Sequence, residues 1–311
     1  MKCTVCRAGG ILLLCSVLLG GMLLLAACSG GGSSEVTVAL TFQPPDSLTY
    51  HGSVVSERIL IRDADSTTDS TIMFSSHVIV QDGNQWLLTS TTDSIRVLRD
   101  GVEKSDPLTA LYPGIDFVLT IDSAGEGIDL TGFEEVLRRA DSALEPGVAQ
   151  QLRRTLRPDL MERRELNEWN GRVARFANQE VAVGEIQYDT SSLAMPNGES
   201  LTYYRAAKLT STETIDGTLC AHFSVVADND PNTLAERLEV TPEEVYTKFG
   251  IDATAHDEAV AGPISSSLQS DWVLETGTML LRSESIEKTT RLSMGQIQMK
   301  TIERREKSFR F

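Results

Sequence analysis

Ile72-Met73-Phe74-Ser75-Ser76-His77-Val78-Ile79-Val80-Gln81-Asp82-Gly83-Asn84-Gln85-Trp86-Leu87-Leu88 reads as two strands joined by a tight turn. Ile72, Phe74, Val78 and Val80 recur at period two, the mark of a strand with one wet face. Asp82-Gly83-Asn84 is a turn signal, and Trp86 and Leu88 open the returning strand. The same grammar extends outward. Val36 to Phe42 alternates before Pro44-Pro45-Asp46, and Leu48, Tyr50 and Val54, then Ile59 and Ile61, continue at period two. Ile95 and Val97 lead to Asp100-Gly101; Phe117, Leu119 and Ile121 form a further strand, turned at Ser123 to Gly127. Antiparallel hairpins account for residues 35 to 130.

The period then changes. Thr131 and Glu134 have the spacing of a capping box, and Phe133, Val136, Leu137, Ala140 and Leu144 follow as one helical stripe. Pro146 and Pro158 are placed to start further helices. Val148, Leu152 and Leu156 share one face, and Leu166, Trp169, Val173 and Phe176 a later one. Nine arginines and eight acids lie between Thr131 and Phe176, which reads as a solvated outer face laced with ion pairs of small individual value. Strands resume with Val181 and Val183, then Leu201 to Ala207 and Leu219 to Val226, with Asp216-Gly217 near their turn. Residues 231 to 262 are helical again; Thr241-Pro242-Glu243-Glu244 is a capping box with Pro at its first helical position, and Gly250 a stop. Met279 with Leu281, Leu292 with Met294, and Ile297 with Met299 suggest three closing strands. The expected fold class is α+β: a curved, half-barrel-like antiparallel sheet on a central helical segment (131–176), with a smaller helical insertion (231–262).

The amino-terminal region supplies an address. Lys2 and Arg7 precede a run from Ala8 to Ala27 without a charged residue, and Leu25-Ala26-Ala27-Cys28 ends it. A positive start, an apolar stretch and small residues describe an export signal. A spanning helix is the competing reading, weakened by Gly9, Gly10, Gly20 and Gly21. Leu25-Ala26-Ala27-Cys28 resembles the lipobox of bacterial lipoproteins. That resemblance implies cleavage before Cys28, acylation of its sulfur and a membrane anchor; with Ser29 following, delivery to the outer membrane or cell surface fits a Gram-negative envelope. The expected organisation is a signal peptide at 1–27, a lipidated Cys28 with a Gly/Ser tether to residue 34, and one domain over 35–311. Loss of Lys2 and Arg7, with no acid before Cys28, takes the formal charge from −16 to −18. So acidic a body is repelled by nucleic acid and by anionic headgroups, so acyl chains must supply the attachment. Cys220 has no partner in such a mature chain and reads as a structural thiol.

The order of strands, helices, strands, insertion and strands, taken with the lipobox, resembles a family of uncharacterised bacterial lipoproteins. In that family a Val-x-Val-Gly-Glu/Asp motif leads into the second set of strands. Val181-Ala182-Val183-Gly184-Glu185 matches it, with Tyr188 where Trp is commoner. The layout is similar to the lipoprotein-carrier half-barrels, which implies a sheet wrapped around helices and an apolar ligand between them. On that reading Phe133, Val136, Leu137, Leu144, Leu152, Leu156 and Trp169 are the ligand-binding residues. Core positions and cavity liners use the same residues, so a filled core serving protein contacts stands beside it.

Sites with other chemistry fail on spacing. Asp63, Asp65 and Asp69 lack the Gly and Glu of a calcium loop, having Thr68 and Phe74 at those positions. Gly125-x-Gly127 with Gly132 puts the third glycine two places late for a dinucleotide loop. His51, His77 and His222 fall in strands and His256 in a polar stretch; no zinc-protease, esterase or phosphate-loop motif is present. No cofactor, metal or catalytic residue is expected. Intact-mass analysis of membrane-extracted protein should show residues 1–27 lost and acyl mass gained, and Cys28→Ala should leave the precursor unprocessed. Normal processing and anchoring of that variant would refute the lipobox reading.

Overall fold

The structure is a computed structural model that describes residues 36–62, 65–194, 200–251, 264–294 and 297–311. The expected signal peptide, Cys28, the expected tether, Asp63, His256 and the end of the expected 231–262 insertion lie outside the described residues. Thr37–Phe311 forms one compact unit.

The architecture is a curved, open antiparallel sheet with helical segments. The strands are β1 (Thr37–Leu40), β2 (Ser47–Arg62), β3 (Asp65–Asp82), β4 (Gln85–Arg99), β5 (Val102–Lys104), β6 (Asp116–Ile121) and β7 (Gly127–Thr131). Three helices follow: α1 (Phe133–Ala143), α2 (Pro146–Thr155) and α3 (Pro158–Arg172). Then come β8 (Gln179–Ala182), β9 (Ile186–Ala194), β10 (Ser200–Ile215), β11 (Thr218–Asp228), α4 (Pro231–Leu238) and α5 (Pro242–Phe249). The chain closes with β12 (Ile264–Glu275), β13 (Leu281–Met294) and β14 (Ile297–Arg310). Sheet order is β7-β6-β4-β3-β2-β14-β13-β12-β11-β10-β9, with β5 on β4 and a separate β1-β8 ribbon. The last strand thus lies beside the second, Ser308 opposite Ser53, joining the two halves of the chain.

Three expectations about the strands are revised. Ile264–Glu275 is a strand whose serines hid it; Leu281 and Leu292 are the two ends of one strand, β13. In β3 the face expected to be apolar points outward. Phe74 is 47% and Val80 41% exposed, whereas Ile79 is fully buried. A register shift at Phe74/Ser75 against β4 accompanies an inner face carrying Met73, Ser75, His77 and Ile79, polar in its middle for a reason given below.

Helix starts also differ from expectation at one place. Thr131 ends β7, paired with Val118, and Gly132 is the N-cap of α1 with no side-chain cap. Its φ of +123° and the Asp116 carbonyl oxygen, 2.7 Å from where a Cβ would stand, admit only glycine. Pro146 and Pro158 start α2 and α3. Thr241 caps α5, accepting from the Glu244 amide at 3.3 Å, and Gly250 ends it in the left-handed region.

One face of the sheet holds the main core. Phe42 sits edge-on to Trp86 and Trp169, each 6.3 Å between ring centres, among Ile79, Ile121, Phe176, Phe223 and Leu274. Gly125, at φ +91°, leaves room for Phe42, whose Cγ would otherwise be 3.0 Å from its Cβ. A second cluster joins Val136, Leu137, Ala140 and Leu156 to Leu111 and Ile115. Val148 faces outward, 46% exposed; Ala149 takes the buried place. A third places α4 and α5 on β10 and β11 through Leu234, Ala235, Val245, Ala206 and Val226. Cys220 is a free, fully buried thiol, and burial raises its pKa.

Candidate functional site

α3 lies along the main-core face of the sheet and is fixed at the β7 edge by polar contacts. The Trp169 indole N–H donates to the Gly125 carbonyl at 3.0 Å. Asn170 Oδ1 accepts from the Gly127 amide at 2.7 Å, and its Nδ2 donates to the Gly127 carbonyl at 3.0 Å. The two glycines that suggested a nucleotide loop are therefore the place where a helix meets a turn.

Glu165, Glu168, Trp169 and Arg172 fall at i, i+3, i+4 and i+7, one helical face. That face turns inward with its charges. Glu168 Oε1 accepts from Lys307 Nζ at 2.7 Å and Arg305 Nη2 at 3.1 Å. Glu284 Oε2 lies 3.0 Å from Lys307 Nζ and 3.3 Å from Arg305 Nη2. Arg172 Nη1 stands 3.6 and 3.7 Å from Glu284 and Glu168. Glu284 is 4% and Arg172 9% exposed. Burial alone raises the pKa of Glu168 and is the largest single influence on it. Lys307, Arg305 and Arg172 together outweigh it and hold the carboxyl well below its usual range. Glu165 goes the other way, raised by burial and then by the Glu168 charge. The sequence reading of this segment as a solvated arginine-rich face therefore holds for Arg138, Arg153 and Arg157, which pair at the surface, and fails at Arg172.

This charged belt borders two cavities. The first, about 350 Å³, is mainly apolar: Val54, Met73, Leu119, Phe133, Trp169 and Phe309 are among its walls. Its polar patch comes from β3 and β4. His77 Nε2 is 2.8 Å from Ser75 Oγ, and its Nδ1 is 2.8 Å from Ser90 Oγ. The ring stacks on Tyr50 at 4.8 Å and meets the edge of Phe309 at 5.3 Å. Burial lowers the His77 pKa to about 4, so the imidazole is neutral near pH 7. A serine–histidine contact suggests acyl chemistry, yet so weak a base with a hydroxyl behind it is poorly suited to activating a nucleophile. What the patch offers is hydroxyl and imidazole groups in an apolar wall, able to orient one polar end of a ligand.

Of the seven residues expected at a ligand site, Phe133 and Trp169 line this cavity. Val136, Leu137 and Leu156 belong to the second cluster, with Leu144 and Leu152 packed on it. Sequence reasoning set His77 aside as a strand histidine and did not single out Ser75, Ser90, Met73 or Lys307. The one available signal was the polar break inside the alternation of β3. Among the described residues no group of three or more His, Cys, Asp or Glu could hold a metal ion, and no helix is long and apolar enough to cross a membrane.

No protein-family model matches the chain, and no curated protein matches it. Solved structures that resemble it include lipovitellin, described for its lipid–protein interactions, at 12% identity and a TM-score of 0.45. That match covers 86% of this chain, which spans only 25% of the lipovitellin chain. A DUF1329 family protein from Desulfovibrio piger ATCC 29098 is 10% identical with a TM-score of 0.21, covering 85% of this chain and 86% of its own. The beta domain of the Bordetella autotransporter BrkA is 6% identical with a TM-score of 0.20, over 84% and 98%.

The buried imidazole gives a pH prediction. Its folded pKa, about 4, lies below the ordinary 6.5, so the unfolded chain takes up the proton first as pH falls. The stabilisation is complete above about pH 6.5 and is lost as pH falls toward 4, by at most about 3 kcal/mol. Urea unfolding of wild type and His77→Gln between pH 7 and 4 should show the wild type losing more stability. Parallel pH dependence of the two would refute a buried neutral histidine.

Proposed function

We propose that this protein is a non-catalytic binding module for a small apolar or amphipathic molecule, such as a lipid or an acyl chain, held between α3 and the sheet. The observation that carries the reading is the apolar cavity itself. An apolar space of about 350 Å³ falls within the size range of small-molecule sites. Its walls come from β2, β3, β4, β6, β7, α1, α3, β13 and β14, so it brings together strands from both ends of the chain. The polar patch at His77 and the ammonium of Lys307 supply orientation at two of its walls. Close packing would place side chains there; the inward Ser75, His77 and Ser90 instead leave the volume open.

The proposed setting is the bacterial cell envelope, reached by export and kept there by acyl chains on Cys28. A ligand-binding domain within a short tether of a bilayer would exchange apolar molecules with it over a short distance. Membership of the uncharacterised lipoprotein family, on the Val181–Glu185 motif, is part of the same proposal.

Full-length protein extracted in mild detergent should bring a co-purified lipid, detectable by solvent extraction and mass spectrometry, or should bind a fluorescent fatty acid. Met73→Trp, which fills the cavity, should weaken that binding about tenfold. Leu137→Ala, in the second cluster, should cost about 2–5 kcal/mol of stability and leave binding unchanged. An empty protein that ignores the probe, or binding unmoved by Met73→Trp, would contradict the proposal.

A further inference from the structure

The second cavity, about 760 Å³, lies on the other side of the belt, which it shares with the first through Glu168 and Arg172. It is formed where long strands run on past the filled core. Its walls include the inner face of β12 (Ser266, Leu268, Ser270 and Trp272), with β10, β11, β13 and β14 beside it. Seven basic and five acidic side chains line it, so a chain of formal charge −16 encloses a net positive space.

The hydrogen-bond inventory of that space is lopsided. Among the described residues, buried side-chain atoms without a hydrogen-bond partner include Arg172 Nε and Nη1, Arg205 Nε, Arg305 Nε, Trp272 Nε1 and Ser270 Oγ. All five residues line this one cavity. Every one of these atoms except the serine oxygen is purely a donor, and serine can donate too. They come from α3, β10, β12 and β14, elements far apart in sequence. Trp272 is 7% and Ser270 2% exposed. Buried donors are ordinarily paired, and those left without a partner call for an explanation.

The acids present are already engaged. Glu168 and Glu284 are held by Lys307 and Arg305; Glu57 pairs with Arg304, Glu303 with Arg58 and Asp69 with Arg99. Arg205 gives its Nη2 to Asp189 at 2.7 Å, which leaves Nε turned elsewhere. Arg172 Nη1 is ion-paired with Glu284 and Glu168 at 3.6 and 3.7 Å but hydrogen-bonds neither. A carboxylate or phosphate brings several lone pairs and negative charge, which arginine and indole N–H donors suit.

We infer that this cavity is a binding site for an oxyanion, a phosphate or carboxylate group, received by Arg172, Arg205, Arg305, Trp272 and Ser270. The site adjoins the apolar cavity, with which it shares Arg172 and Glu168, and does not require that one to be filled. The oxyanion can be free or the head of an amphiphile whose chain lies on Val225, Leu268 and Ile286.

The test is calorimetric titration of full-length protein in non-ionic detergent with inorganic phosphate and, separately, with octyl phosphate. Binding of both supports a site for the free anion; binding of octyl phosphate alone supports an amphiphile head. Trp272→Phe removes one donor and keeps an aromatic ring; Arg205→Gln removes charge with little volume. Each should weaken binding about tenfold, the scale of a hydrogen bond to a charged group, and raised salt should weaken the wild type further. A fluorescent fatty alcohol, which has no anionic head, should occupy the apolar cavity of these variants normally, so failure of one site is distinguishable from failure of the other. Heat-neutral titrations with both phosphates and with octanoate, or affinities unchanged in Trp272→Phe and Arg205→Gln, would overturn the inference.

Discussion

A carboxylate taken out of water is expensive unless cations and hydrogen bonds replace the solvent it loses. Glu168 and Glu284 meet that condition through Lys307, Arg305 and Arg172, and the arrangement of the interior follows from it. The cations sit on the last strand and on α3, the acids on α3 and β13. The network can therefore form only when the carboxy-terminal strand has inserted beside β2 and the helix has been laid over the sheet. Such a network is weak evidence for net stability, because an apolar replacement could serve as well. It does set position: α3 has a definite register, fixed at its carboxy-terminal end by the belt and by Trp169 and Asn170 on the β7 turn.

That register separates two kinds of space. On one side the walls are Leu119, Phe133, Trp169 and Met73; on the other they are arginines, Ser270 and Trp272. An apolar volume and a net positive one thus adjoin across a single layer of charge, the arrangement that the proposed binding of amphipathic molecules would use. It is also compatible with an acidic exterior, since the positive charge faces inward.

Much of the fold was legible because alternation and turn chemistry are local. The Asp82-Gly83-Asn84 hairpin, the proline-started helices, and Thr241 with Gly250 all appear where residue types require them. The failures have a common cause. Alternation identifies two faces but not which one is inside, and in β3 the interior needed Ser75 and His77 for a cavity, so the apolar residues went out. β12 was missed since its inner serines line a cavity rather than a core. Arg172 and Glu168 were read as surface charges because a helix face of alternating sign looks the same whether water or a second set of charges lies opposite. Gly132 replaced the expected Thr131 cap through a close approach to Asp116 that no local pattern encodes. The expected ligand stripe split for a geometric reason: Phe133 starts α1 at the sheet, while Val136 and Leu137 turn toward Leu111 and Ile115.

Charge in the interior clamps α3 to the sheet, and a double-mutant cycle between Glu168 and Lys307 tests this most directly. Unfolding free energies would be measured for wild type, Glu168→Gln, Lys307→Met and the double variant. A half-buried, hydrogen-bonded pair at 2.7 Å should show a coupling energy of about 1.5 kcal/mol or more. A coupling below about 0.5 kcal/mol, the value of an exposed pair, would mean that water reaches the belt and that α3 does not divide the interior.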